Sequence, residues 1–177
     1  MKQQIKQAFP RVIENNCLQT VRNSIFYIFD TPERKCELHQ NASGIIHFTV
    51  ENPLGKEITF LAIDQCIFFD SDQSRCDFAV FDAKCFCFVE IKEMNIDARR
   101  SEHLRKARKQ LLATITYFLE RLKFTTRRIK AYTCVGNSSD NSRGPFPATR
   151  ATGIEVTLDF EQIGVVLYEK GSLKKFQ

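Results

Sequence analysis

The chain reads as an α/β protein, a single domain with a central mixed β-sheet flanked by helices and with extra strands at both ends. Three observations predict this. Runs rich in β-branched and aromatic residues, broken by polar turns, fill positions 45–92. One long apolar stripe of helical period follows at 95–123, and a further apolar run returns at 127–135. A length of 177 residues at 43% apolar is enough for one compact core and short of two.

From the N-terminus, Ile5, Ala8, Phe9, Val12 and Ile13, then Leu18 and Val21, recur at roughly helical spacing, with Pro10 breaking or starting a helix. SIFYIFD at 24–30 reads as a short strand, with a buried helix end as the alternative. The polar stretch 31–44 reads as loop with at most one helical turn. Runs at 45–50 and 57–69 flank Asn52-Pro53-Leu54-Gly55, a hairpin signal. After the polar turn 70–75, a second hairpin pairs 77–81 with 85–92 around Asp82-Ala83-Lys84.

The segment 95–123 is the clearest helix. Leu104, Ala107, Leu111, Ile115, Phe118 and Leu122 step by three or four, and Asn95 or Asp97 can cap its start. A strand at 127–135 follows, then a loop at 137–153 rich in Ser, Gly and Pro, expected to be mobile. GIEVTL and IGVVLYE read as two closing strands.

No stretch approaches the roughly 20 apolar residues that span a bilayer. The opening MKQQIKQAFPRVIENN lacks the apolar run of a secretory signal. Seven scattered cysteines argue against a disulfide framework and for a reducing, cytoplasmic setting. Cys66, Cys76, Cys85 and Cys87 contain no CxxC pair, so small thiols filling a core outrank a zinc site.

Charge is unevenly distributed. Residues 1–98 carry 10 basic and 14 acidic side chains, whereas 99–130 carry 11 basic and 2 acidic. Within that block Arg99, Arg100, Arg105, Lys106, Arg108 and Lys109 crowd the start of the helix, where cations oppose the helix dipole. Arg127, Arg128 and Lys130 extend the track onto the next strand. A polyanionic partner explains the placement, and a solvated helix face is the plainer alternative. His103 falls on the same solvated side.

The stretch DFAVFDAKCFCFVEIK, 77–92, sets three charges into an otherwise apolar hairpin. Alternation puts Glu90 and Lys92 on one face with Phe86 and Phe88. A two-residue turn at Asp82-Ala83 sets Asp77 opposite Phe88, and a four-residue loop from Asp82 to Cys85 sets it opposite Glu90; both keep it on that face. A three- or five-residue loop turns it away. Two close carboxylates repel unless a cation joins them, and a hard divalent ion such as Mg²⁺ suits oxygen ligands. Lys92 beside a metal-bound water completes the parts for phosphodiester hydrolysis. Otherwise Asp77 and Glu90 are ordinary strand-end residues and Lys92 a surface partner.

This pattern resembles the core of the PD-(D/E)xK nuclease superfamily, in which an aspartate opens one strand and Glu-x-Lys sits on the next. The resemblance covers about 58–135 and implies an α-β-β-β-α-β core. It implies a nuclease acting on DNA rather than RNA, with Mg²⁺ or Mn²⁺ held by Asp77, Glu90 and the main-chain carbonyl of Ile91, and with Lys92 acting on the attacking water. Glu14 would be the extra glutamate some members supply from a first helix, and Gln110 and Tyr117 are similar to the Gln…Tyr feature of the exonuclease-like branch. Position 76 is Cys rather than Pro, and Asp64, Asp70 and Asp72 are nearby candidates for the first carboxylate. The family also implies a homodimer or a subunit of a larger defence or repair assembly. A non-catalytic nucleic-acid-binding or partner-binding module of the same fold is the competing expectation. A small basic domain whose helix binds an acidic protein or a membrane is the third.

Overall fold

The apolar hairpin predicted at 77–92 sits at the centre of the main sheet. In the computed structural model, which describes residues 1–42, 46–69, 74–92, 100–124, 128–135, 146–147, 154–169 and 173–176, β6 (Phe78–Phe81) pairs antiparallel with β7 (Cys85–Lys92). Asp82 Oδ1 accepts the N–H groups of Lys84 (2.8 Å) and Cys85 (2.7 Å), which fixes the turn. Asp82 N–H closes it onto the Cys85 carbonyl at 3.0 Å. Phe81 therefore faces Phe86, which is the four-residue alternative.

Two other strands complete the core around this hairpin. β5 (Ile58–Ala62) pairs antiparallel with β6, and β8 (Arg128–Val135) runs parallel to β7. Between β7 and β8 the chain crosses through α3 (Arg100–Arg121). The predicted stripe holds: Ala107, Leu111, Ile115, Phe118 and Leu122 are buried, and Phe118 meets the Phe88 ring at 5.3 Å. Its expected caps, Asn95 and Asp97, lie outside the described residues. With α1 (Lys2–Ala8) and α2 (Arg11–Glu14), which starts at Pro10, this is an α-β-β-β-α-β order.

The sheet extends to seven strands, in the order β1-β5-β6-β7-β8-β10-β9. The added strands are β1 (Leu18–Val21), β9 (Phe146–Pro147) and β10 (Val165–Glu169). A second, four-stranded mixed sheet has the order β11-β4-β2-β3: β2 (Ile25–Asp30), β3 (Cys36–His39), β4 (Phe48–Glu51) and β11 (Leu173–Lys175). One hydrophobic cluster includes residues of both sheets; Phe48 of β4 packs edge-on against Phe78 (5.4 Å) and Tyr132 (6.0 Å). No helix among the described residues is long and apolar enough to cross a membrane.

Several expectations change. The runs on either side of Asn52-Pro53-Leu54-Gly55 do not pair as a hairpin: β4 joins the small sheet and β5 the large one. The turn exists, with Gly55 at φ 60° donating to the Asn52 carbonyl. However, Asn52 is fully buried, donating to the carbonyls of Asn23 and Lys56 and accepting from Lys56 N–H, and so redirects the chain between sheets. Leu18 and Val21 lie on a strand, β1. Polar 31–44 hides β3, which returns against β2 after a turn where Arg34 takes φ 60°. Of the stretch read as a strand at 153–158, residues 154–158 belong to α4 (Ile154–Gln162). Loop 137–153 lies outside the described residues except for the β9 pair. Cys17 and Cys66 form a disulfide, against the expectation of none, and tie the start of β1 to the turn after β5. Cys36, Cys76, Cys87 and Cys134 are buried free thiols.

Candidate active site

Asp77 stands one step beyond the last ladder pair, Phe78 with Val89, and so opposite Glu90. Residues placed so have Cβ atoms about 5 Å apart. Phe86 and Phe88 turn toward Phe118 of α3, and Glu90 and Lys92 continue that face of β7. The three predicted charges therefore meet at one end of the hairpin.

Glu90 is fully buried. Its carboxylate forms an ion pair with Lys92 Nζ through Oε1, and Oε2 has no hydrogen-bond partner within the described residues. Asp77, also buried, accepts the Ile91 N–H through Oδ2 at 2.5 Å. A strand residue's N–H and carbonyl leave on the same edge, which sends the Ile91 carbonyl to the Asp77 side.

The electrostatics follow from burial. Desolvation pushes Asp77 up to about 7, with Lys92 and the Ile91 N–H pulling it back and Asp30 and Asp64 adding to the rise. Burial and then the Asp77 charge push Glu90 well above the carboxylate range, against Lys92. Burial by itself would lower Lys92, but Glu90 and Asp77 outweigh it and raise its pKa. Two carboxylates and one ammonium leave a buried deficit of positive charge.

Asp77, Glu90 and the Ile91 carbonyl are hard oxygen donors of the type Mg²⁺ or Mn²⁺ takes, and Glu90 Oε2, which Lys92 does not hold, fits that use. The side-chain set is small. Among the described residues no group of three or more His, Cys, Asp or Glu side chains is placed to hold a metal ion.

Among the supports around this pair, sequence reasoning named Gln110 and Asp64 in other roles and missed Arg75, Thr114 and Asp30. Arg75 Nε binds Asp64 Oδ1 at 2.5 Å, which commits Asp64 to an ion pair rather than to the first-carboxylate role. Asp70 and Asp72 lie outside the described residues. Gln110 Nε2 donates to the Arg75 carbonyl (2.7 Å), and Thr114 Oγ1 accepts Cys76 N–H (2.7 Å), so α3 holds the segment leading into Asp77. Gln110→Leu should destabilise the fold by about 1–2 kcal/mol, read from urea unfolding, because that carbonyl loses its donor. A polar residue beside the helical stripe was the one available signal. Asp30 comes from the other sheet, which no local pattern discloses.

The remaining candidates are dispersed. Glu14 and Tyr117 line a separate cavity of about 450 Å³ with Phe9, Ile67 and Phe68. Tyr117 packs against Phe9 and Phe68 and carries the Arg121 guanidinium over its ring at 3.4 Å. On α3, Arg105, Lys106 and Lys109 are exposed, and Lys106 pairs with Glu102 at 2.9 Å. Arg108 corrects the predicted basic track: its guanidinium is bound to buried Glu169 of β10 at 2.5 and 2.6 Å, bracing helix to sheet. His103 is half-buried. Arg99, the Arg100 side chain and Arg127 lie outside the description. Arg128 and Lys130 do not prolong the α3 track, because Arg128 lies opposite Cys85 while Lys92 lies opposite Val135. Glu90 lies opposite Thr133, so at about 3.3 Å per residue Arg128 is about 17 Å and Lys130 about 10 Å along the strand from the carboxylate end.

Comparison with protein-family models, with curated proteins and with solved structures finds no match to this chain.

Proposed function

We propose that this chain is a divalent-metal-dependent nuclease of the PD-(D/E)xK type, hydrolysing phosphodiester bonds in DNA. The observation that carries the reading is the buried Asp77–Glu90 pair facing across β6 and β7, with Lys92 on the same face. Mg²⁺ or Mn²⁺ would be held by Asp77, Glu90 and the Ile91 carbonyl, and when bound supplies Lewis acidity and a water of lowered pKa. Lys92 places a positive charge where an attacking oxygen or a phosphate gathers negative charge. Exposed Arg105, Lys106 and Lys109 on α3 supply phosphate contacts. We place the protein in the cytoplasm, acting as a homodimer or as a subunit of a larger defence or repair complex.

A specific observation favours a second reading, a non-catalytic nucleic-acid-binding or partner-binding module. Lys92 already neutralises Glu90, and a third side-chain ligand is missing among the described residues. Cleavage of plasmid DNA, single-stranded DNA and RNA in Mg²⁺, Mn²⁺ or EDTA separates the two. The first reading requires metal-dependent cutting, and the second requires binding with no cutting by the pure chain.

Both readings share one expectation for the helix. Arg105→Gln with Lys109→Gln should reduce the slope of log affinity against log salt by about 1–2 for DNA. A titration of fluorescent DNA between low and moderate salt reads it, and an unchanged slope removes α3 from the interface.

A further inference from the structure

The far end of the hairpin holds a second charged site, unconnected to the carboxylates. A cavity of about 530 Å³ lies there, lined by Lys84, Cys85, Arg128, Lys130, Lys174 and Lys175 together with Asp82 and Phe176. Its walls come from three places: the hairpin turn, the start of β8, and β11 of the small sheet. A volume of this order suits a small ligand.

Five cations face one carboxylate in this cavity, and that carboxylate is occupied, since Asp82 Oδ1 accepts two backbone N–H groups of its own turn. Lys175 pairs with Glu51 at 3.4 Å. Lys84, Arg128, Lys130 and Lys174 have no ion-pair partner among the described residues. Lys130 Nζ lies 4.9 Å from the Tyr168 ring centroid and Lys174 Nζ 5.0 Å from that of Phe176. Lys174 is the telling member: it is 92% buried, at 8% exposure, and lines the cavity without a counter-charge. A buried ammonium is costly unless an anion reaches it.

We propose that this cavity binds a small ligand carrying two or three linked phosphates, with Lys174 and Lys130 at its floor and Lys84 and Arg128 at its mouth. The charge calls for more than one phosphate. The enclosure between hairpin and β11 favours a compact ligand over the backbone of a long nucleic acid. The linked phosphates could belong to inorganic polyphosphate or to a nucleotide tail.

Cys85 reports on occupancy. It is the one free cysteine that is not buried, and its Sγ lies 3.4 Å from that of Cys87. The hydrogen bond from Cys87 lowers its pKa to about 7, with Lys174 and Lys130 acting the same way against burial and Asp82. A polyphosphate seated on the two lysines cancels their pull, and a rise of one unit slows thiolate alkylation at neutral pH by about fivefold.

The experiment follows iodoacetamide labelling of Cys85 in the full chain by peptide mass mapping at pH 7. The probes are pyrophosphate, tripolyphosphate and ADP, each compared with sodium chloride at equal ionic strength. The expected result is slower labelling with the phosphates and none of that slowing with chloride. ADP acting below the concentration needed for pyrophosphate identifies a nucleotide tail, and equal potency identifies the polyphosphate alone. The slowing should vanish in Lys174→Met and also in the Lys84→Gln/Arg128→Gln double variant, whose side chains are exposed and spare the fold. No slowing by any phosphate overturns the proposal. So does slowing matched by chloride, or slowing produced only by a single-stranded oligonucleotide.

Discussion

If the chain is the proposed nuclease, Glu90→Gln should abolish Mg²⁺-dependent DNA cleavage, by about a thousandfold or more, in a chain that remains folded. The amide keeps the shape of the carboxylate and removes the charge that a divalent ion needs. Folding should suffer little, because ionising that buried group is unfavourable and the amide carries no charge to bury. Lys92→Met has a different signature. On the same reading it should also stop cleavage, but it strips the buried carboxylate of its ion-pair partner, which should destabilise the fold by about 2–4 kcal/mol at pH 8. Joining the two changes should recover most of that stability with no recovery of cleavage. Circular dichroism melts and a supercoiled-plasmid assay on the four proteins decide the matter. Full cutting by Glu90→Gln would end the proposed metal role of this residue.

The second large effect is a rise in stability as pH falls, reversed by metal. Asp77 titrates near 7 in the folded chain, against about 3.9 when unfolded. A folded-state pKa above the unfolded one means that the native state holds its proton more tightly. That contribution is complete below about pH 4 and is lost as pH climbs through 7, in total about 4 kcal/mol. Glu90 shifts in the same direction. On the proposed reading Mg²⁺ would bind the deprotonated pair, so its stabilisation should grow from pH 5 to pH 8. Melting temperatures with and without Mg²⁺ across that range read the effect. Asp77→Asn should reduce the pH dependence to what Glu90 contributes and remove the metal response. A pH-independent melt in the wild type would contradict the burial of a titrating Asp77, and a metal response surviving in Asp77→Asn would place the ion elsewhere.

What the amino-acid order disclosed was local. The 77–92 hairpin was legible because two short aromatic and β-branched runs flank a polar turn with an Asp; only the loop length was open, and the Asp82 hydrogen bonds settle it. The α3 stripe was equally plain. What local pattern cannot express is which sheet a strand joins. The runs around Asn52 look like any hairpin, yet Asn52 spends its amide on both sheets' approaches and separates them. Leu18 and Val21, three apart, suit a helix turn until pairing with β5 claims them. Arg108 shares a helix face with free cations by composition and leaves them by contact, because Glu169 is 61 residues away in the chain. The Cys17–Cys66 pair spans 49 residues and was hidden for the same reason. At the site itself Asp77, Glu90 and Lys92 were found, while Arg75, Thr114 and Asp30 were not, since their relation to the carboxylates is wholly tertiary.

The central hairpin has one more consequence, for the nascent chain. FAVF and CFCFV are short, uncharged, free of proline and strongly β-forming, the composition of segments that stack into fibrils when exposed. In the finished protein β5, β8 and α3 hide them. During synthesis β8 arrives some forty residues after β7, so the segment must wait with one edge open. Asp82 and Lys84 at its tip, and Glu90 and Lys92 at its end, bracket the apolar runs with charge. The residues proposed for chemistry thus double as gatekeepers against aggregation before the fold exists to use them.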